Sequence, residues 1–504
     1  MPLESTSRWH TRVVRRFGAV LVVALVAASS SSCRRPPVPV RIAIHSAPQS
    51  FDPHLQNEIL TSAVLANIYD GLTEFDEESR IRPTLAATWT NPDDRTWVFR
   101  LRPNVRFHDG RPLTAEDVVF SLERARNHPR TELSSYLVEV ESVKALDPLT
   151  VEIRTRRPFG ALLVKVSPIQ IVPRGSPETI TEPVGTGSYR LLKYEEGKSI
   201  ELVPAPTDWR GPAVRWPLTF VVEREPKMRL ERLLSGEADV AVGLSEDAVN
   251  VLRGSASCRA AIRPGSIVEY LHLSLIEPRF RDERVRKAID LAIDRAAYVA
   301  EAHHGLGQPV GQLVVPGVFG YAPDLKPPKR DVARARRLLA EAGYPDGFDI
   351  VLEHRPGRRG DILAAQLGEA GLRVVPKETL WKDLFSRLRR GEVGFYLGGV
   401  VAQTGEASDV LDSFIHTREE ARGYGNTNHS RYSNPRADVL IEEAASSLAM
   451  TRRRELLQEA TRVVMSDVQF VPIAGLYDVY GVREGVGFVP RIDLKLLGRE
   501  IVRR

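Results

Sequence analysis

Two cysteines in 504 residues, Cys33 and Cys258, most constrain what this chain can fold into. Cys33 ends an ordered N-terminal pattern. Arg8, Arg12, Arg15 and Arg16 come first, then the apolar run Phe17 to Ala28, then Ser29 to Ser32. A charged stretch, a short apolar core and small residues make an export signal, and the core is too short to span a bilayer. Export delivers a chain to a compartment where disulfides can form. If Cys33 is engaged elsewhere, Cys258 has no intramolecular partner. The exported fold must then be held together by its apolar core alone.

A cysteine directly after the small residues resembles the lipobox of bacterial lipoproteins, although Ser30 stands where leucine is usual. The resemblance implies a signal peptide over 1–32, lipidation at Cys33, and a tether over 33–40 whose prolines favour extension. It places the protein outside the cytoplasm, in the periplasm or at the cell surface, held to a membrane by lipid. Arg15-Arg16-Phe17 also fits a twin-arginine export signal. The formal charge of +5 is mostly leader, since its four arginines and one glutamate leave about +2 on the mature chain. With basic and acidic residues interspersed and no aromatic-basic module, nucleic-acid binding is not expected. Hydrophobic residues at 42% and charged residues at 27% are ordinary for a globular protein. The 472 residues after the leader (504 less 32) exceed one small core, so two or three subdomains are expected.

Period and punctuation predict mixed elements, hence α/β subdomains. Strands are expected at Val38–Ile44, Thr96–Leu101, Thr150–Arg154 and Leu218–Glu223. Helices are expected at Leu60–Leu72, Ala115–Ala125, Arg284–Ala302, Val332–Ala342, Arg359–Ala370 and Arg436–Ser447. Thr114 and Asp117 form a capping box, and Gly343 and Gly371 are helix-ending residues. Val285, Ala288, Ile289, Ala292 and Ile293 recur at helical spacing and read as core. Gly185-Thr186-Gly187 lacks the rest of a phosphate loop, and no Gly-x-Ser-x-Gly, His-Glu-x-x-His or Cys-x-x-Cys occurs. His303-His304 reads as a helix end before Gly305, because adjacent helical residues point about 100° apart. Asp52 and Asp109 sit in turn contexts.

Several blocks in fixed order carry a family resemblance. Phe51-Asp52-Pro53-His54 is followed by Ile68-Tyr69-Asp70-Gly71-Leu72. Pro83-Thr84-Leu85-Ala86 leads to Trp89, Thr96-Trp97-Val98-Phe99, Phe107-His108-Asp109-Gly110 and Pro112 to Val118. Pro183 to Tyr189 comes next, then Asp282 to Arg295, then Ala335 to Phe348, and Tyr432-Ser433-Asn434-Pro435 with Asp438. Together they resemble the family 5 extracellular solute-binding proteins, the peptide- and nickel-type binding components of ABC importers. The resemblance spans nearly the whole mature chain.

It implies a periplasmic-binding-protein-like fold, two lobes around a ligand cleft with an additional accessory subdomain. Lobe I would take 38–76, 185–270 and 478–504, the accessory subdomain 77–184, and lobe II 271–477, with crossing strands as the hinge. It implies a monomer that captures a small solute, a peptide first, and passes it to an ABC transporter permease with no cofactor and no bond broken. An opine, an oligosaccharide or a metal chelate are the other solutes. By the same resemblance Gln56 and Asn57 line the cleft, Tyr136 and Trp381 supply aromatic surface, and Arg355, Arg358 and Arg359 form a basic group. In peptide-binding relatives a Gly-Trp-x-x-Asp stretch holds the ligand amine. Gly399-Val400-Val401-Ala402-Gln403 matches it here, with Val400 for the tryptophan and Gln403 for the aspartate. Glu406 or Asp409 are the substitutes. Two other readings remain: a binding protein that senses or chaperones without transport, and an extracytoplasmic hydrolase.

Overall fold

The computed structural model describes residues 37–76, 80–211, 216–402 and 404–503, and the backbone alone of Glu420. The leader over 1–32, Cys33, the first part of the tether and Gln403 lie outside the described residues.

Two long strands organise the molecule. Cys258–Leu273 and Phe470–Arg483 pair antiparallel over most of their length. Their outer halves, with Cys258, Val479, Tyr480 and Val482, are buried in the apolar clusters of one lobe. Their other halves, with Tyr270, Leu271, Phe470 and Val471, are buried in the clusters of the second. One 11-stranded sheet is therefore continuous through both lobes. The ladder breaks between Pro264 and Val268 and again at Glu269–Tyr270, the bulges that bend such a pair.

In the first lobe Val40–Ile44 lies parallel between Leu218–Val222 and Val240–Ala241. In the second, Asp349–His354 lies parallel between Arg373–Glu378 and Phe395–Val401, covered by the helices Glu283–Ala292, Val332–Glu341 and Arg359–Glu369. The accessory subdomain is a separate antiparallel sheet, ordered Ala86–Asp93, Thr96–Leu101, Thr150–Thr155, Val140–Asp147. The helix Ala115–Asn127 packs on it and carries the capping box of Thr114 and Asp117.

Two helices differ from expectation. The helix expected over 284–302 is two, Glu283–Ala292 and Arg295–Ala302. Ile293 is extended, and the Asp294 carboxylate accepts the Ala297 N–H to start the second. The first helix is short, Ile59–Leu65. The chain after it is drawn to another segment: the Ile68 and Asn67 carbonyls accept from Gly187 and Tyr189. Gly187 is needed for that approach, since a Cβ there would sit 2.4 Å from the Asn67 carbonyl. Cys258 is buried and free.

Candidate functional site

A cavity of ≈ 420 Å³ lies between residues 135–165 of the accessory subdomain and residues 381–429 of the second lobe. Aromatic side chains dominate its wall: Tyr136 and Phe159 on one side, and Tyr270, Trp381, Phe414 and Tyr424 on the other. A smaller cavity of ≈ 130 Å³ adjoins it, and Asn57, Tyr136 and Val401 line both.

The loop leading into the site is held by Asp52. Its carboxylate accepts two bonds from Arg124, at 2.8 and 2.5 Å, and one from the Ile180 N–H. His54 accepts from Arg124 at Nδ1, which leaves Nε2–H to donate to the Gln170 carbonyl at 2.8 Å. Burial pushes the His54 imidazole down to about 4, so it stays neutral near pH 7. The Phe51-Asp52-Pro53-His54 block thus ties the first lobe to the accessory subdomain and sets Gln56 and Asn57 at the cleft. Gln56 is buried, takes the Glu58 N–H and lines the smaller cavity. Asn57 donates to the Tyr136 hydroxyl at 3.4 Å.

Across the large cavity, Lys165 reaches from the accessory subdomain to two carboxylates of the second lobe. Its Nζ lies 3.2 Å from Asp412 and 3.8 Å from Asp409, with the three side chains 12%, 14% and 11% exposed. Burial alone would lower the Lys165 ammonium, but Asp412 and Asp409 outweigh it and raise it above its ordinary value. Burial lifts Asp409, and Asp412 adds repulsion, against the pull of Lys165. Two carboxylates thus share one ammonium. Nearby, Ala161 donates to the Ala445 carbonyl, and a Cβ on Gly160 would collide with the Ser447 carbonyl at 1.8 Å. The accessory subdomain is shut against the second lobe along this edge.

The structure brings Asn57, Tyr136, Trp381 and Val400 into one wall, with Gln56 next door. The expected basic group is not in the wall. Arg355 stacks over Trp381, 4.8 Å from the ring centroid, and Arg359 is bound to Glu269 at 2.7 Å. Of the two substitutes for a ligand-facing acid, Glu406 is consumed by the buried Arg453 at 2.6 Å, whereas Asp409 does line the cavity. Lys165, Asp412, Phe414 and Tyr424 escaped the sequence reading. Lys165 had a visible signal: it is the lone charge in the apolar run Ala161 to Val166.

His303 marks a second cluster, behind the cleft. Its Nε2 bonds Glu269 at 2.7 Å and its Nδ1 lies 3.5 Å from Glu246. Glu269 also accepts from Tyr298 at 2.9 Å and from Arg359. Burial works against the His303 imidazolium, but Glu246 and Glu269 lift it to about 9.

Residues 80–421 match the family model for bacterial extracellular solute-binding proteins, family 5, middle region. Similar curated proteins include the heme-binding protein A of Haemophilus influenzae, 25% identical over 88% of this chain and 86% of its own length. The glutathione-binding protein GsiB of Escherichia coli is 27% identical over 92% of this chain and 93% of its own. Among solved structures, HbpA2 of Haemophilus parasuis superposes with a TM-score of 0.81 at 24% identity, covering 92% of this chain and 99% of that one. The periplasmic binding protein DppA of Helicobacter pylori, bound to the peptide STSA, gives 0.77 at 23%, covering 92% and 98%.

Proposed function

This chain belongs to the family 5 bacterial extracellular solute-binding proteins, and on that premise we propose that it captures a peptide-sized polar solute for an ABC importer. One observation carries the reading: an aromatic-walled cavity of ≈ 420 Å³ between the accessory subdomain and lobe II. Relatives named for heme, glutathione and a bound peptide support a small-solute ligand without choosing one. Closure about the long strand pair would trap the solute, and the closed form would present it to a permease. Among the described residues, nothing in the wall pairs a nucleophile with a base, which favours binding without chemistry over the hydrolase reading.

We divide the chain as lobe I over 38–76, 185–270 and 478–504, the accessory subdomain over 77–184, and lobe II over 271–477. The contact residues are Gln56, Asn57, Tyr136, Trp381 and Val400, joined by Lys165, Asp409, Asp412 and Tyr424. Arg355 and Arg359 act behind the wall, not in it. Gln403 stays in the proposal by its place in sequence alone. A monomer, anchored outside the cytoplasm through lipidated Cys33, completes the reading. Cys33→Ser is expected to release the protein from the membrane fraction, and full retention would refute the anchor.

Mass spectrometry of what co-purifies, followed by thermal melting with the identified compound, tests the function. A binder raises Tm by mass action and is recovered intact. Recovery of a cleaved compound would replace the receptor with an enzyme.

A further inference from the structure

Lobe I exposes apolar side chains where the described chain begins. Val38 is 59% exposed, Val502 55% and Val489 69%. Two of them share a strand pair: Val486–Gly487 and Val502–Arg503 run antiparallel, with Gly487 opposite Val502. A Cβ on Gly487 would lie 3.5 Å from the Val502 Cβ, which puts both on one side of the pair. Burial alternates beyond it, with Val486 and Phe488 buried and Val489 exposed. Val489 therefore continues the outward face of Gly487 and Val502, on the two-residue period of extended chain.

Arg503 joins this face to Val38. Its guanidinium donates to the Val38 and Pro39 carbonyls at 2.8 and 2.7 Å, is held by Asp239 at 2.8 Å, and lies over the Trp216 ring, 5.5 Å from the centroid. Trp216 is itself half-buried against the core of the lobe. Single exposed valines need no explanation, but three of them on one ledge with a tryptophan and an arginine do. That composition suits the boundary between water and lipid, where apolar side chains enter and tryptophan and arginine stay at headgroup level. The chain itself delivers a bilayer to this face. Val38 lies five residues after Cys33, and five residues of fully extended chain span about 17 Å. Lipid on Cys33 can be no farther than that from Val38, and Arg34 and Arg35, which come between, suit anionic headgroups.

We propose that the ledge of Val38, Val489 and Val502, with Trp216 and Arg503, is a second membrane contact, through which lobe I rests on an anionic bilayer. The assignment rests on the lipid-anchor reading and adds an orientation to it. A short tether alone leaves the protein free to turn about Cys33, whereas a ledge that enters the lipid boundary fixes which lobe faces the membrane. A single acyl chain holds a protein only marginally, and a nearby apolar and basic surface is the kind of second signal that makes such anchoring stable.

The test reconstitutes the full chain, purified from membranes, in vesicles of phosphatidylethanolamine and phosphatidylglycerol. V489C and V502C each carry an environment-sensitive fluorophore, and V375C, 56% exposed on the strand Arg373–Glu378 of lobe II, is the control. Cys258 is buried, so the label goes to the introduced thiol. All three positions are exposed, and an unchanged melting curve confirms that each variant is folded. Emission from V489C and V502C is expected to shift to the blue and to be quenched by brominated acyl chains, while V375C shows neither. No quenching at V489C and V502C, in a protein that Cys33→Ser still releases, would overturn the ledge and leave the anchor standing. Equal quenching at all three positions would also overturn it. Quenching at V489C that persists in a membrane-retained Cys33→Ser background would support the ledge and refute the anchor.

Discussion

The second lobe meets the rest of the chain through two charged clusters of opposite character. Behind the cleft, Glu269 lies on the long strand Cys258–Leu273 and accepts from Tyr298, His303 and Arg359, so every carboxylate oxygen is used. At the cleft, Lys165 faces Asp409 and Asp412, and the satisfaction is incomplete. Among the described residues, Asp412 Oδ1 and the Ser408 hydroxyl are buried without hydrogen-bond partners. A fully bonded buried network is stiff, while a half-bonded one is expensive to keep shut. On the proposed closure, the cluster on the continuous strands would be the pivot and the Lys165 contact the edge that opens.

The largest effect belongs to the pivot. Glu269→Ala leaves a buried imidazolium and a guanidinium without their carboxylate, and a loss of about 3 kcal/mol in denaturant unfolding is expected. A loss below about 0.5 kcal/mol would mean that the cluster holds nothing. Lys165→Met should lower stability less, about 1 kcal/mol, because it also removes the ammonium's desolvation. Its signature is elsewhere: the ligand-free protein should open more often, read as a faster loss of amide protection at residues 159–166 and 404–414. Equal protection in mutant and wild type would make both contacts alike and dissolve the comparison.

A third effect, confined to one side of a titration, sharpens the pivot by pH. Asp478 lies opposite Arg263 in the strand pair, and burial pushes its carboxyl up to about 6. A carboxyl raised in the fold favours its protonated form there. Its contribution is full below about pH 4 and is lost as pH rises through about 6. Asp478→Asn is therefore expected to raise stability at pH 7 by about 1–2 kcal/mol and to leave it unchanged at pH 4. Equal effects at both pH values would deny the shift.

Legibility in the sequence followed the range of the forces. Thr96–Leu101 and the Thr114–Asp117 box are set by neighbours a few residues away, and both form where the local pattern places them. The two crossing strands were invisible as strands. Pro264 and Gly265 interrupt one and Pro472, Gly475 and Gly481 the other, and long-range pairing, with each other over some 200 residues and with flanking strands, makes them extended. The helix over 284–302 broke because Asp294 found a capping role that periodicity cannot show. In the site, Tyr136 and Trp381 were expected as aromatic surface, and both line the cavity. The arginines could not be placed, because Arg355 and Arg359 look equivalent in sequence. What separates them is whether a carboxylate or a ring already holds each one.

Small-angle scattering of the full chain, before and after adding the compound that co-purifies, tests the receptor account most directly. The account predicts that the radius of gyration shrinks on binding and that the ligand is recovered unaltered from the closed form. An unchanged radius at saturating ligand would contradict it.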